Sequence, residues 1–315
     1  MESSPKLAVV GAGAMGCIFG AALAEAGGDV TVLDVARPLI DRINDAGVTI
    51  VQADVERTVR VPATWDPSSI GHVDAAIVFV KCYQTASAAE LMDPLIRDRS
   101  VVASLQNGWG NEAILADAFG DERVLAGVTY HSGTTLEPAR VSHNAPGPTF
   151  IGPHVGDAVD RCRPLVDALS AAGFEVTASA DVRTEIWKKL VFNAAGLAAG
   201  ALTGLDPRGT ALHDEMRGLV FALASEAVAV ARAAGYDIDA DERIATLTSA
   251  FERAAPGTKG SMRQDMEAGR RTEIDVINGA VVREAEAHGM DAPLSRAMIA
   301  LVRGYEAARE RKSTK

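Results

Sequence analysis

Residues 6–16 read KLAVVGAGAMG, a run of apolar residues that breaks into glycines at positions 11, 13 and 16 and is followed by an Ala- and Leu-rich stretch. An unbroken apolar run ending in Gly-x-Gly reads as a buried strand, a tight turn and then a helix. Each glycine has a mechanical reason to be there. Gly11 permits the turn, Gly13 lets the backbone approach a pyrophosphate, and Gly16 allows the helix to pack closely. Ala12, Ala14 and Met15 complete the turn at the helix N-terminus, where open amides and a partial positive charge suit phosphate groups. Residues 7–24 carry no charge and follow Lys6, which by itself imitates a leader or a membrane span. The glycines at 11, 13, 16 and 20 lower both helix propensity and hydrophobicity, so strand, turn and helix is the better reading.

Working outward, the next strand-like run, 30–33, ends in Asp34. A carboxylate there would accept hydrogen bonds from the adenosine ribose hydroxyls and so favours NADH; the competing reading is a cap for the following helix. Further apolar runs at 75–80, 101–105 and 124–128 alternate with helical or loop segments and suit strands buried on both faces of a parallel sheet. This predicts a doubly wound, Rossmann-type α/β domain. Residues 141–152, rich in Pro and Gly, read as extra strands and turns near its edge, with one more helix and strand before Ser179. Beyond Asp181 the strand signal stops and long helices follow, punctuated by Gly and Pro. The division expected is 1–180 for dinucleotide binding and 181–315 for an all-α substrate and catalytic domain.

Composition narrows the function classes. Apolar residues at 48% and charged ones at 23% describe a globular chain, and 315 residues exceed one ordinary core. A net charge of −11 with 5% aromatics argues against a nucleic-acid surface. Cys17, Cys82 and Cys162 form neither a disulfide framework nor a ligand pair, which fits a reducing cytoplasm. The histidines show no metal spacing, and no metal is expected. His131 reads as a hydrogen-bonded structural histidine rather than a proton carrier. No Walker A loop or GxSxG elbow occurs.

Lys81 and Asn107 follow strand runs, at the carboxyl edge where open α/β sheets bind ligands. Lys189 and Asn193, in TEIWKKLVFNAAG, project from one helix face. Residues 260–279 read GSMRQDMEAGRRTEIDVING. Ser261 is placed to cap a short helix, and a second helix is expected to begin at Glu273 with Ile274, Ile277 and Val281 facing a core. A lone acid in a first turn is ordinarily a cap stabilised by the helix dipole.

Read together, Ser261, Met262, Gln264, Asp265, Arg271, Thr272, Glu273, Ile274, Asp275, Ile277, Asn278 and Gly279 resemble the C-terminal motif of ketopantoate reductases (2-dehydropantoate 2-reductases). WKKLVFN is similar to that family's W-x-K-L-x-x-N. The resemblance implies hydride transfer from NADPH, the usual family cofactor, to a small 2-oxo acid, giving (R)-pantoate for coenzyme A synthesis. It further implies Lys189 as general acid, Asn193 as substrate ligand, Glu273 holding the lysine or the substrate hydroxyl, Ser261 on the substrate carboxylate, Asn107 between nicotinamide and substrate, and cofactor contacts from Lys81 and Gly133. The sequence departs from the family at Leu197 and Arg208, where asparagines are usual, and residues 196–201 read as a short insertion. Arg208 is expected to take over carboxylate recognition by a bidentate ion pair. The alternatives are a reductase of another 2-oxo or 3-oxo acid, and a dinucleotide sensor without turnover. An apolar helical domain is compatible with a homodimer.

Overall fold

The computed structural model describes residues 4–313. Its contacts divide the chain into two compact units, Met1–Gln106 with Asn111–Val182, and Asn107–Gly110 with Arg183–Lys315.

In the first unit the strands are, in chain order, β1 (Lys6–Val10), β2 (Asp29–Leu33), β3 (Val48–Gln52), β4 (Val55–Val59), β5 (Ala63–Thr64), β6 (Ala75–Val78), β7 (Val101–Ser104), β8 (Val124–Thr129), β9 (Ser132–Glu137), β10 (Arg140–Ala145), β11 (Thr149–Pro153) and β12 (Val176–Ala178). Eight of them form one sheet in the order β12-β11-β8-β7-β6-β1-β2-β5. Pairing is parallel from β5 to β8, and β11 then runs antiparallel to β8. The chain winds from β1 one way to β2 and the other way to β6, so the sheet reverses its winding between β1 and β6. That is the switch point at which open α/β sheets leave a crevice for ligands. Strand β1 is buried on both faces because its residues alternate between two cores. Leu7 and Val9 join one with Phe19, Val32 and Ile77, while Ala8 and Val10 join the other with Leu33, Val78 and Leu115. Two covered faces explain the continuous rather than alternating apolar pattern.

The remaining strands make a second, four-stranded sheet, β4-β3-β10-β9, which the sequence reading did not separate from the first. Residues 140–145 are therefore not part of the main sheet; 149–153 are, as the strand next to its β12 edge. The parallel register joining Arg140 to Thr49 and Ser142 to Val51 is made across about ninety intervening residues, so no local pattern announces it.

The second unit is helical. The Val182–Thr203 helix runs without interruption through residues 196–201. Ala194, Ala195, Ala198 and Ala199 are buried on it, and such small side chains let the neighbouring helices approach closely around Trp187, Leu223, Ala227, Val281 and Val302. Two local expectations change. Gly260, not Ser261, is the N-cap of the Ser261–Glu267 helix. Glu273 precedes a 3-10 turn, Ile274–Val276, and the regular helix begins only at Asn278. The cause is Ile277, whose φ of −103° and ψ of −90° break the helical path. Ile274, Ile277 and Val281 are all buried as expected, and the Asn278 side-chain amide donates to Ala194 O at 3.0 Å, fixing the start of that helix on the long one.

Candidate active site

In the first unit the glycine turn leaves β1 and enters the Ala14–Glu25 helix. Gly11 has φ +102°, and a Cβ there would press at 2.9 Å on the backbone N of Val80, the residue that precedes Lys81. A Cβ on Gly16 would sit inside the van der Waals surface of Gly11 O. These two glycines are required by packing. Gly13 is different: it is exposed, and a Cβ on it would meet nothing within 4 Å. It is the helix N-cap and has no side-chain capping bond, so its amide neighbours Ala14 and Met15 present an open N-terminus of the kind that receives a pyrophosphate. Gly133 lies on β9, where a Cβ would strike Ile18 Cδ1 at 2.6 Å and touch Ala14 Cβ at 3.4 Å. Its smallness brings the second sheet onto the start of the same helix.

Asp34 follows β2 and turns its carboxylate back on the glycine turn. Oδ2 accepts from Ala12 N at 2.7 Å and Oδ1 from Ala36 N at 2.9 Å. The following helix, Arg37–Ala46, takes Ala36 as its N-cap, so Asp34 is a strut for the turn rather than a helix cap. Each carboxylate oxygen retains acceptor capacity for a hydroxyl. Three residues further, the Arg37 guanidinium lies 3.8 Å above the ring of Trp65, which is 41% exposed. The sequence reading missed Trp65, since a lone tryptophan in a loop carries no signal. Lys81 is partly buried and follows β6, on the other side of the switch point from β2.

His131 and His143 form a pair, Nδ1 to Nε2 at 2.8 Å, with the His131 ring edge-on to Phe19 and Phe174. Burial and the neighbouring His143 lower the His131 pKa from 6.5 to about 4, and burial also lowers that of His143. At neutral pH the pair is uncharged and structural. Because the folded pKa lies below the unfolded one, the unfolded chain takes up the proton first as pH falls. This stability contribution is complete above about pH 6.5 and is lost progressively toward pH 4. At pH 5 the linkage amounts to about 2 kcal/mol at most, and about 1 kcal/mol once solvent screening of the half-buried ring is allowed for. Urea midpoints at pH 7 and pH 5 should therefore differ more for the native chain than for His131→Leu; equal differences would refute the assignment.

In the second unit the Lys189 Nζ donates to Asn107 Oδ1 at 2.8 Å. Asn107 belongs to a short turn, Asn107–Gly110, that contacts this unit although it follows β7 in the chain. Burial pushes the Lys189 pKa down from 10.5 to about 8, and the Glu273 carboxylate pulls the other way. Glu273 is 5% exposed. Its acidic neighbours have arginine partners: Asp265 pairs with Arg270 at 2.9 Å, and Asp275 with Arg271 at 2.8 Å and Arg303 at 2.6 Å. Asn193 lies buried one turn beyond Lys189. Leu197 follows one turn later, and a Cβ on Gly260 would approach its Cδ2 to 2.8 Å, which puts Ser261 next to the same long helix. Asn107, Lys189 and Glu273 are thus brought together, with Asn193 on the helix of Lys189 and Ser261 beside that helix. Arg208 is exposed in the first turn of the Pro207–Leu212 helix, and its charge acts on Asp206, the cap of that helix. Among the described residues no group of three or more His, Cys, Asp or Glu could hold a metal ion. Among the described residues no helix is long and apolar enough to cross a membrane.

The first unit carries a glycine turn at the switch point of a Rossmann-type sheet, a usual place for a dinucleotide, and the helical unit holds a lysine on an asparagine. Residues 7–156 match the family described as Ketopantoate reductase PanE/ApbA, and residues 181–306 match its C-terminal counterpart. The chain belongs to the ketopantoate reductase family, whose members are oxidoreductases acting on CH-OH. It is 32% identical over 299 residues to the 2-dehydropantoate 2-reductase of Halobacterium salinarum, covering 95% of this chain and 98% of that one. A solved PanE/ApbA family ketopantoate reductase from Ralstonia eutropha JMP134 superposes with a TM-score of 0.85 at 33% identity, covering 97% and 99% of the two chains. A D-mandelate dehydrogenase solved with NADH and anilino(oxo)acetate gives a TM-score of 0.90 at 26% identity, covering 96% and 98%.

Proposed function

We propose that the chain reduces 2-dehydropantoate to (R)-pantoate, with Lys189 as the general acid. The observation that carries this is the Lys189 ammonium held on Asn107 and tuned toward neutrality by burial. A dinucleotide held at the glycine turn would supply the hydride. Lys189 Nζ would stabilise the charge that develops on the substrate's carbonyl oxygen and give up a proton to it, completing the alcohol. Asn107 fixes the direction of the ammonium. Glu273 supplies a negative charge that keeps the lysine protonated near neutral pH, and the neutral amine left after transfer regains its proton from solvent. Asn193 and Ser261 bind the substrate, and Arg208 meets its carboxylate. We place the domain division near residue 180, the protein in the cytoplasm, and the working form as a homodimer.

The cofactor is assigned to the glycine turn with Asp34, Lys81 and Gly133. Asp34 favours NADH, because its carboxylate suits ribose hydroxyls and repels a 2′-phosphate, while Arg37 on Trp65 is the group that would answer such a phosphate. Asp34→Asn keeps an acceptor for Ala12 N and removes the charge. It should shift the NADPH-to-NADH ratio of kcat/KM upward by about tenfold, about 1.4 kcal/mol. An unchanged ratio would show that Asp34 serves the turn alone.

A second reading, reduction of a 2-oxo acid with a larger apolar substituent, is favoured by Leu197 on the helix that carries Lys189 and Asn193 and by the likeness to a D-mandelate dehydrogenase. The two are separated by oxidation of NADH and NADPH with 2-dehydropantoate beside a panel of aliphatic and aromatic 2-oxo acids, comparing kcat/KM. A tenfold preference for another acid would displace 2-dehydropantoate while leaving the reaction class in place.

A further inference from the structure

The turn that carries Asn107 is fastened more firmly than a connecting loop requires. Gly108 adopts φ +91°, and a Cβ there would collide with the Val276 carbonyl and with its Cγ2 at 2.6 Å. Trp109 N donates to Val276 O at 2.9 Å, and Trp109 Nε1 donates to Glu284 Oε1 at 3.0 Å. Arg283, the residue before Glu284, donates to Asp275 O at 2.7 Å and reaches Trp109 O at 3.4 Å. The indole of Trp109 packs on Trp187 at 6.1 Å and Tyr236 at 5.8 Å between ring centroids, and Trp187 and Tyr236 stack on one another at 5.5 Å. Trp187 is fully buried and stands two residues before Lys189 on the same helix; Val276 stands three residues after Glu273.

The same tryptophan is therefore tied by its backbone to the segment bearing Glu273, by its ring to the helix bearing Lys189, and by its chain neighbours to Asn107. We propose that Trp109 and Glu284 are positioning residues for the reaction: the indole hydrogen bond to Glu284 sets the register in which the Asn107 side chain receives the Lys189 ammonium. Neither residue touches substrate. Their effect passes through Asn107, whose side-chain carbonyl must point at Nζ if the proton is to be delivered along one direction. His288 Nε2 lies 3.6 Å from the other Glu284 oxygen, Oε2. This inference rests on the reading of Lys189 as the acid.

The test compares steady-state kinetics of the full-length enzyme with its preferred 2-oxo acid. Trp109→Phe keeps an aromatic ring and removes the N–H donor, Glu284→Leu removes the acceptor, and Glu284→Gln retains one. Trp109→Phe and Glu284→Leu should each lower kcat about tenfold while KM stays within about twofold, and Glu284→Gln should recover most of the loss. The double variant should be no slower than either single one, because both remove the same bond. Should Glu284→Leu fail to fold, Trp109→Phe with the Glu284→Gln comparison decides the matter. If Trp109→Phe keeps native kcat while Lys189→Ala is inactive, the positioning role is overturned and the acid assignment survives. If Lys189→Ala itself retains native kcat, the acid assignment falls and the positioning role with it.

Discussion

Replacing Lys189 with alanine is expected to lower kcat by about 10²–10⁴-fold, the range associated with a positioned general acid. The loss should fall on kcat more than on KM, since the ammonium meets charge that develops only as hydride arrives. The pH profile gives a second signature. Lys189 is protonated below about pH 8, so reduction should decline as pH rises through that value, whereas oxidation of the alcohol, which needs the neutral amine, should rise through it. In Lys189→Ala both limbs near pH 8 should vanish. Stability should move the other way. The folded pKa lies below that of the unfolded lysine, which means that burial penalises the charged form, and its removal should leave Tm unchanged or slightly raised. A variant equally slow but markedly less stable would indicate a structural lysine instead.

The second large effect concerns the glycine turn, where Gly13 and Gly16 should behave oppositely. A methyl on Gly16 must displace the Gly11 carbonyl, so Gly16→Ala should cost about 1–3 kcal/mol of stability and deform the turn. A methyl on Gly13 meets nothing within 4 Å, and Gly13 has φ −70°, which alanine adopts without strain. Gly13→Ala should therefore leave the unfolding midpoint unchanged, yet raise the dinucleotide Kd by about tenfold or more, about 1.4 kcal/mol, because the methyl occupies the approach to the helix amides. Titration of both variants with NADH, followed by nicotinamide fluorescence, tests this. Native affinity in Gly13→Ala would mean that the pyrophosphate does not pass over this residue.

The positions at which sequence reasoning fell short share physical causes. Strand β3 places Val48 and Ile50 in the core between half-buried residues, whereas β4 is exposed or half-buried until Val59. Their turn is built by Ala53 and Asp54 at φ +47° and +64°, not by the Asn-Gly or Gly that normally marks such a turn. Ala139, at φ +63°, hides the β9–β10 hairpin in the same way. The Trp109 network was equally silent. The indole was in view in LQNGWGN, but its acceptor, Glu284, is 175 residues away and lies in a helix whose own pattern is complete without it.

Local sequence determined what short-range sterics can fix: the strand, glycine turn and helix of residues 6–25, the continuous apolar strands that require a sheet covered on both faces, and the helix face shared by Lys189 and Asn193. Tertiary structure alone decided which distant groups meet. It placed Asn107 on Lys189 across 82 residues, set Glu273 to act on the same ammonium, and turned Asp34 back onto the glycine turn. The reason is energetic. A turn or a helix face is specified by neighbours along the chain, whereas the proton affinity of a lysine is specified by its loss of water and by the charges that folding brings beside it.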